Sequence, residues 1–152
     1  MHNKRSYCIT NSAVHIPKNI LIGSFAGGRS HVKPMLDIAE ILIERGYNIV
    51  LVSKGKYEPS SEYPTVKQVS LGPDLPLEEL KEEIHKEFDY RAVAIIMELA
   101  VKLYNQTYEI YKTAAEEYNP DLFFCDYFVN DACLDVAYAL KKPVVGWTSG
   151  LI

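Results

Sequence analysis

Long hydrophobic runs are missing from this sequence. No apolar stretch in its 152 residues approaches the ~18 that a membrane-crossing helix needs. The opening, MHNKRSYCITNSAVHIPK, starts basic but has no apolar segment of the kind an intact signal peptide carries. Cysteine is scarce: Cys8, Cys125 and Cys133 are odd in number and show no C-x-x-C spacing, which predicts reduced, buried thiols and neither a zinc site nor a disulfide framework. The histidines, at positions 2, 15, 31 and 85, show no H-x-x-x-H pairing, so no metal is expected. Positive charge is not in excess. Sixteen Lys and Arg stand against twenty Asp and Glu, for a net charge of −4, and no basic stripe offers itself to nucleic acid. Repeats and low-complexity tracts are absent too.

What is present is an ordinary globular composition, 48% hydrophobic, in a length that suits about one domain. Residues 1–18 read as an irregular lead-in closed by Pro17, and 19–152 as one α/β domain. The organising stretch runs from Asn19 to Ser53. Ile20-Leu21-Ile22 is a short apolar run suited to a buried strand. A glycine-rich turn leads to His31, and Met35, Ile38, Ala39, Leu42 and Ile43 then recur at the spacing of one helix face. Gly46 stops that helix, and Ile49 to Val52 forms a second buried strand. Strand, turn, helix and strand make a βαβ unit, whose right-handed crossover puts the turn at the carboxyl edge of a parallel sheet, where open α/β sheets bind ligands.

Residues 54–64 follow as a polar loop, and alternation over 65–71 predicts a more exposed third strand. From Pro76 a charged surface helix is expected, with Leu77, Leu80, Ile84 and Phe88 on one side. Tyr90 to Tyr118 is the longest helical pattern. Val93, Ile96, Ala100, Leu103 and Ile110 trace one stripe, and Met97, Val101, Tyr104, Tyr108 and Tyr111 trace a second beside it. A stripe this wide fits a helix buried on more than one side or one that borders a pocket. Asp121 to Asp126 reads as a buried strand ending on a carboxylate. Asn130 to Leu140 is a short helix with Ala132, Val136, Ala137 and Leu140 inward, and Pro143 to Trp147 is a last strand. The pattern predicts a mostly parallel, Rossmann-like sheet with helices on both faces.

Three chemistries could use the glycine turn. A dinucleotide fingerprint fails, because Phe25 stands where a glycine is required and Ser53-Lys54 where an acid should hold a ribose. A P-loop reading matches Gly23 to Ser30 at every position but the lysine, which is Arg29. A planar guanidinium does not replace an ammonium threaded between phosphates, and Pro34 falls where a P-loop helix is already under way. This nucleotide-hydrolase reading is the runner-up. The third uses His31 as a general base. It then needs a carboxylate to orient the ring and stabilise the charge gained in catalysis. Asp126, at the end of a separate buried strand, can supply it across the same crevice. Singly, Asp126 reads as a turn cap and His31 as an exposed helix-start residue; jointly they favour the paired site.

Two segments carry a family resemblance. Gly28 to Leu36, followed by Ala39 to Val52, resembles the amino-terminal signature of the UDP-glycosyltransferases of GT-B fold. Pro120 to Phe128, continuing through Asp135-Val136-Ala137 to Lys142-Pro143-Val144-Val145-Gly146, resembles the segment bearing the aspartate partner of that family's histidine. Arg29-Ser30 departs from the glycine that directly precedes the histidine in many members. The resemblance implies that His31 is the catalytic base and Asp126 its partner. It implies the acceptor-binding, N-terminal half of an inverting hexosyltransferase that needs no cofactor, takes a UDP-sugar as donor, and acts on a hydroxyl of a small apolar acceptor. Phe25, Gly27 and Gly28 would form the wall beside the base, and Met97, Tyr104, Tyr127 and Phe128 the acceptor pocket. The family's second domain, which holds the UDP-sugar, has no counterpart here, so the chain is expected to be a truncated piece, inactive alone and prone to self-association through an uncovered sheet edge. The parent would be cytoplasmic or tethered at the endoplasmic reticulum membrane. A non-catalytic subunit of a split transferase is a third possibility.

Overall fold

In a computed structural model the protein is described over residues 18–61, 63–73, 75 and 90–148, with 90–92 as backbone only. Five strands and three helices lie in these segments: β1 (Asn19–Ser24), α1 (Arg29–Glu44), β2 (Asn48–Ser53), β3 (Lys67–Ser70), α2 (Tyr90–Tyr118), β4 (Leu122–Asp126), α3 (Asp131–Ala139) and β5 (Val144–Trp147). They form one sheet in the order β3-β2-β1-β4-β5, and every pairing is parallel. The lead-in up to residue 17 and the charged helix expected from Pro76 lie outside the described residues.

The central strands are apolar throughout because both their faces are covered. On one face Ile20, Ile22, Ile49, Leu51 and Phe124 pack against Val32, Met35, Leu36 and Ala39 of α1. On the other, Leu21, Val50, Val52, Phe123 and Cys125 meet Tyr111, Ala114 and Ala115 of α2 and Ala132, Cys133, Val136 and Ala137 of α3. Each larger side chain that leaves water entirely contributes roughly 1.5–3 kcal/mol. Helix α1 ends as expected at Gly46, whose φ of +84° suits glycine. The Tyr47 and Gly46 N–H groups bond back to Leu42 and Ile43 carbonyls at 3.1 and 2.9 Å, closing the helix end.

Several expectations need correction. Ile43 and Leu140 are exposed: Ile43 lies in the last turn of α1 and Leu140 just past the end of α3. Pro34 lies inside α1, which is already under way at Arg29, so the proline by itself does not count against the P-loop reading. Cys125 and Cys133 are not free thiols but a disulfide, with Cα atoms 6.1 Å apart. Eight positions separate them in sequence, yet α3 folds straight back over the strand it follows and sets one above the other.

Candidate active site

Strands β1 and β4 run parallel with Gly23 opposite Cys125, and the next step along sets Ser24 level with Asp126. Both side chains point to the α1 face. The chain then passes through buried Phe25 and Ala26 and turns at Gly27, where φ is +66° and a Cβ would lie 2.8 Å from the Lys54 carbonyl oxygen. Only glycine suits that position. Gly28 is different: it is extended and caps α1 without a side chain, and a Cβ there would meet nothing within 4 Å.

His31 stands in the first turn of α1, and its Nδ1 donates to Asp126 Oδ2 at 2.9 Å. The same oxygen accepts the Ser24 hydroxyl at 3.0 Å, and Oδ1 accepts the Phe128 N–H at 3.1 Å. Asp126 is therefore both turn cap and histidine partner. Its carboxylate is fully buried, whereas the histidine side chain is 21% exposed. With the proton held on Nδ1, the basic lone pair belongs to Nε2, on the far side of the ring. Phe128 stacks on the imidazole at 5.4 Å between centroids. Both Asp126 oxygens are thus engaged by protein groups.

A cavity of about 490 Å³ opens on the other side of the same edge, between α2 and α3. It is lined by Phe25, Met97, Ala100, Val101, Tyr104, Asn105, Thr107, Val129, Asp131 and Ala132. Phe25 packs in one cluster with Phe128 and Val129, so the wall of the cavity and the ring stacked on His31 are continuous. Val129 has φ +46°, a conformation that costs a β-branched residue of order 1–3 kcal/mol and occurs most at functional sites.

The sequence-derived residues therefore divide. Phe25, Met97 and Tyr104 line the cavity, and Phe128 links it to the dyad. Of the second stripe of α2, Met97, Val101 and Tyr104 border the cavity, with Met97 half-exposed, whereas Tyr111 is fully buried against the sheet. Tyr127 is not on the cavity wall: it follows the last residue of β4 and is 68% exposed beside Gly146. Tyr104 donates to Asp135 at 2.5 Å; that bond, then burial, pushes its phenol up to about 12. Ser24 escaped the sequence reading, although its place as the first polar residue after Ile20–Gly23 is a usable signal. Asp131, Asn105 and Thr107 carried none.

No family model and no curated protein matches this chain. Solved structures do. CalG4, the calicheamicin glycosyltransferase, superposes with a TM-score of 0.62 at 19% identity, over 89% of this chain and 33% of that one. The glycosyltransferase SnogD from Streptomyces nogalater gives 0.61 at 20% identity, over 87% and 34%. UGT2 of Phytolacca americana, complexed with UDP-2-fluoro-glucose and pterostilbene, gives 0.59 at 16% identity, over 87% and 30%. The chain has the α/β fold of the N-terminal half of GT-B glycosyltransferases and spans about a third of the length of these structures. Among the described residues no helix is long and apolar enough to cross a membrane.

Proposed function

We propose that this chain is the acceptor-binding part of an inverting, UDP-dependent glycosyltransferase. The observation that carries the reading is the His31–Asp126 bond, made at the carboxyl edge of the sheet beside an apolar cavity. An acceptor with an apolar body would lie along Phe25, Met97, Ala100 and Val129 with its hydroxyl at His31. As the hydroxyl oxygen bonds to the anomeric carbon, Nε2 takes its proton. The bond from that carbon to the diphosphate breaks on the opposite side, and UDP leaves with the electron pair. Asp126 holds the ring and stabilises the imidazolium that results. No metal or organic cofactor enters these steps. The UDP-sugar would be held by a second domain beyond this chain, so the chain by itself would not turn over.

The test is transfer of labelled hexose from UDP-glucose to a panel of phenols and sterols by the polypeptide as its own cell makes it. His31→Ala should lower the rate by about 10²–10⁴, the usual contribution of a general base. Undiminished transfer would overturn the proposal. Val144 and Val145 on the β5 edge are exposed, which supports the accompanying proposal that the isolated chain self-associates there. A clean monomer in concentrated size-exclusion runs would refute that part alone.

A further inference from the structure

The inner end of the apolar cavity holds a polar group that nothing in the chain uses. Met97, Val101, Asn105 and Asp131 line its exposed mouth, whereas Phe25, Ala132 and Thr107 line it where it is buried. Thr107 is only 4% exposed, and among the described residues it is the one polar side chain of that buried end. Helix geometry puts it there. It precedes Tyr111 by four positions, one turn of α2, and so shares the face that Tyr111 packs against the sheet.

A threonine within a helix commonly returns its hydroxyl to the carbonyl four residues back. Thr113 on the same helix does so, donating to the Glu109 carbonyl at 2.8 Å. Thr107 does not. Among the described residues its hydroxyl has no hydrogen-bond partner in the chain, and the side chain forms part of the cavity wall. A buried hydroxyl without a partner is unfavourable, and one that faces a cavity is satisfied by what enters it. The entering group is neutral. Among the described residues no lysine, arginine or histidine lines the cavity to hold an anion, and Asp131 at its mouth repels one.

Resting on the acceptor-binding reading above, we propose that Thr107 selects among acceptors. The preferred acceptor carries, besides the hydroxyl that reacts, a second neutral oxygen that bonds to the Thr107 hydroxyl at the inner end of the cavity. A threonine hydroxyl both donates and accepts, so an alcohol or phenol oxygen suits it. An acceptor that lacks the second oxygen buries the Thr107 hydroxyl without a partner, and this is the source of discrimination.

Matched pairs of phenols test this by titration calorimetry on the chain: 2-naphthol with 2,6-dihydroxynaphthalene, and 4-phenylphenol with 4,4′-biphenol. Within each pair the ring system is constant and one hydroxyl is added. At least one diol should bind about fivefold to tenfold tighter than its partner, the worth of one buried hydrogen bond. Thr107→Val keeps the branched shape and removes the hydroxyl, so the preference should vanish or reverse; Thr107→Ser should restore it. Because no protein group depends on this hydroxyl, Thr107→Val should leave Tm unchanged or raise it. Three results would overturn the inference and leave the acceptor reading standing: a diol preference that persists in Thr107→Val, a clear fall in its Tm, or single phenols that bind with no diol preference. If no phenol binds, both fall.

Discussion

Asp126 and His31 lie 95 positions apart in the chain and 2.9 Å apart in the fold, carboxylate oxygen to Nδ1. Neither can turn freely: the same Asp126 oxygen holds the Ser24 hydroxyl, which in turn accepts the Gly27 N–H at 3.4 Å. One carboxylate thus ties the ends of β1 and β4 to the first turn of α1.

Replacing that carboxylate should cost stability as well as orientation. Asp126→Asn keeps the shape but leaves one donor facing an amide, and the loss of hydrogen bonds to a buried charge should be about 2–3 kcal/mol. In a chain of this size that lowers Tm by roughly 5–10 °C. Ser24→Ala removes a single donor and should cost only about 0.5–1.5 kcal/mol. Thermal unfolding followed by circular dichroism separates the two. Equal Tm values for Asp126→Asn and the unaltered chain would mean that the carboxylate is solvated and holds nothing.

The glycines offer a contrast. A methyl at Gly23 would come within 2.6 Å of Cys133 Sγ and 2.7 Å of the Tyr111 hydroxyl, and both neighbours are fully buried. Gly23→Ala should therefore destabilise by about 1–3 kcal/mol through overpacking. Gly28→Ala, with open space around it, should leave urea midpoints nearly unchanged. The reverse ranking would contradict the packing of α2 and α3 on β1.

The cross-link between β4 and α3 closes a short loop. On the chain-entropy account a loop of this length is worth about 2–3 kcal/mol, so reduction with a phosphine should lower the urea midpoint while leaving the helical signal in place. Alkylation without reductant, followed by mass spectrometry, should find Cys125 and Cys133 unmodified. Two alkylated cysteines there would show free thiols instead.

Tyr104 should titrate late. Asp135 accepts its proton, and its phenol is pushed up to about 12 from the ordinary value near 10. The fold favours the neutral phenol, so any stability it lends is complete below about pH 10 and fades as pH rises towards 12. Difference absorbance of the phenolate should show one late tyrosine that moves to lower pH in Asp135→Asn. An unmoved titration in that variant would assign the late group elsewhere. Tyr111 is pushed up as well, by burial, so Tyr111→Phe is the control that removes its signal.

Much of this architecture was legible because central parallel strands are written as short apolar runs. Ile20–Ile22, Ile49–Val52 and 121–126 all fell where β1, β2 and β4 stand, and Tyr90–Tyr118 was bounded as observed. His31 and Asp126 were legible because each ends or follows such a run at the carboxyl edge. Contacts between elements were not. Nothing local distinguishes Tyr127, which points outward, from Phe128, which stacks on the histidine; strand register and the turn after Asp126 decide it. The same holds for Cys125 and Cys133, whose pairing depends on how sharply α3 returns. The double stripe on α2 announced a wide contact surface, yet only the position of α3 turns Met97, Val101 and Tyr104 into a cavity wall.

Because side chains alternate along a strand, the β1–β4 register acts as a gauge with a step of one residue. Inserting or deleting one amino acid between Leu122 and Cys125 would send Asp126 to the opposite side of the sheet, where Tyr111 and Cys133 already fill the space, and would turn Cys125 away from its disulfide partner. Ser24 and His31 would then face a neighbour with no anion. A one-residue change of length is accordingly tolerable only in the connections, such as the polar loop after β2, because in β4 it would break the His31–Asp126 pair in the same step.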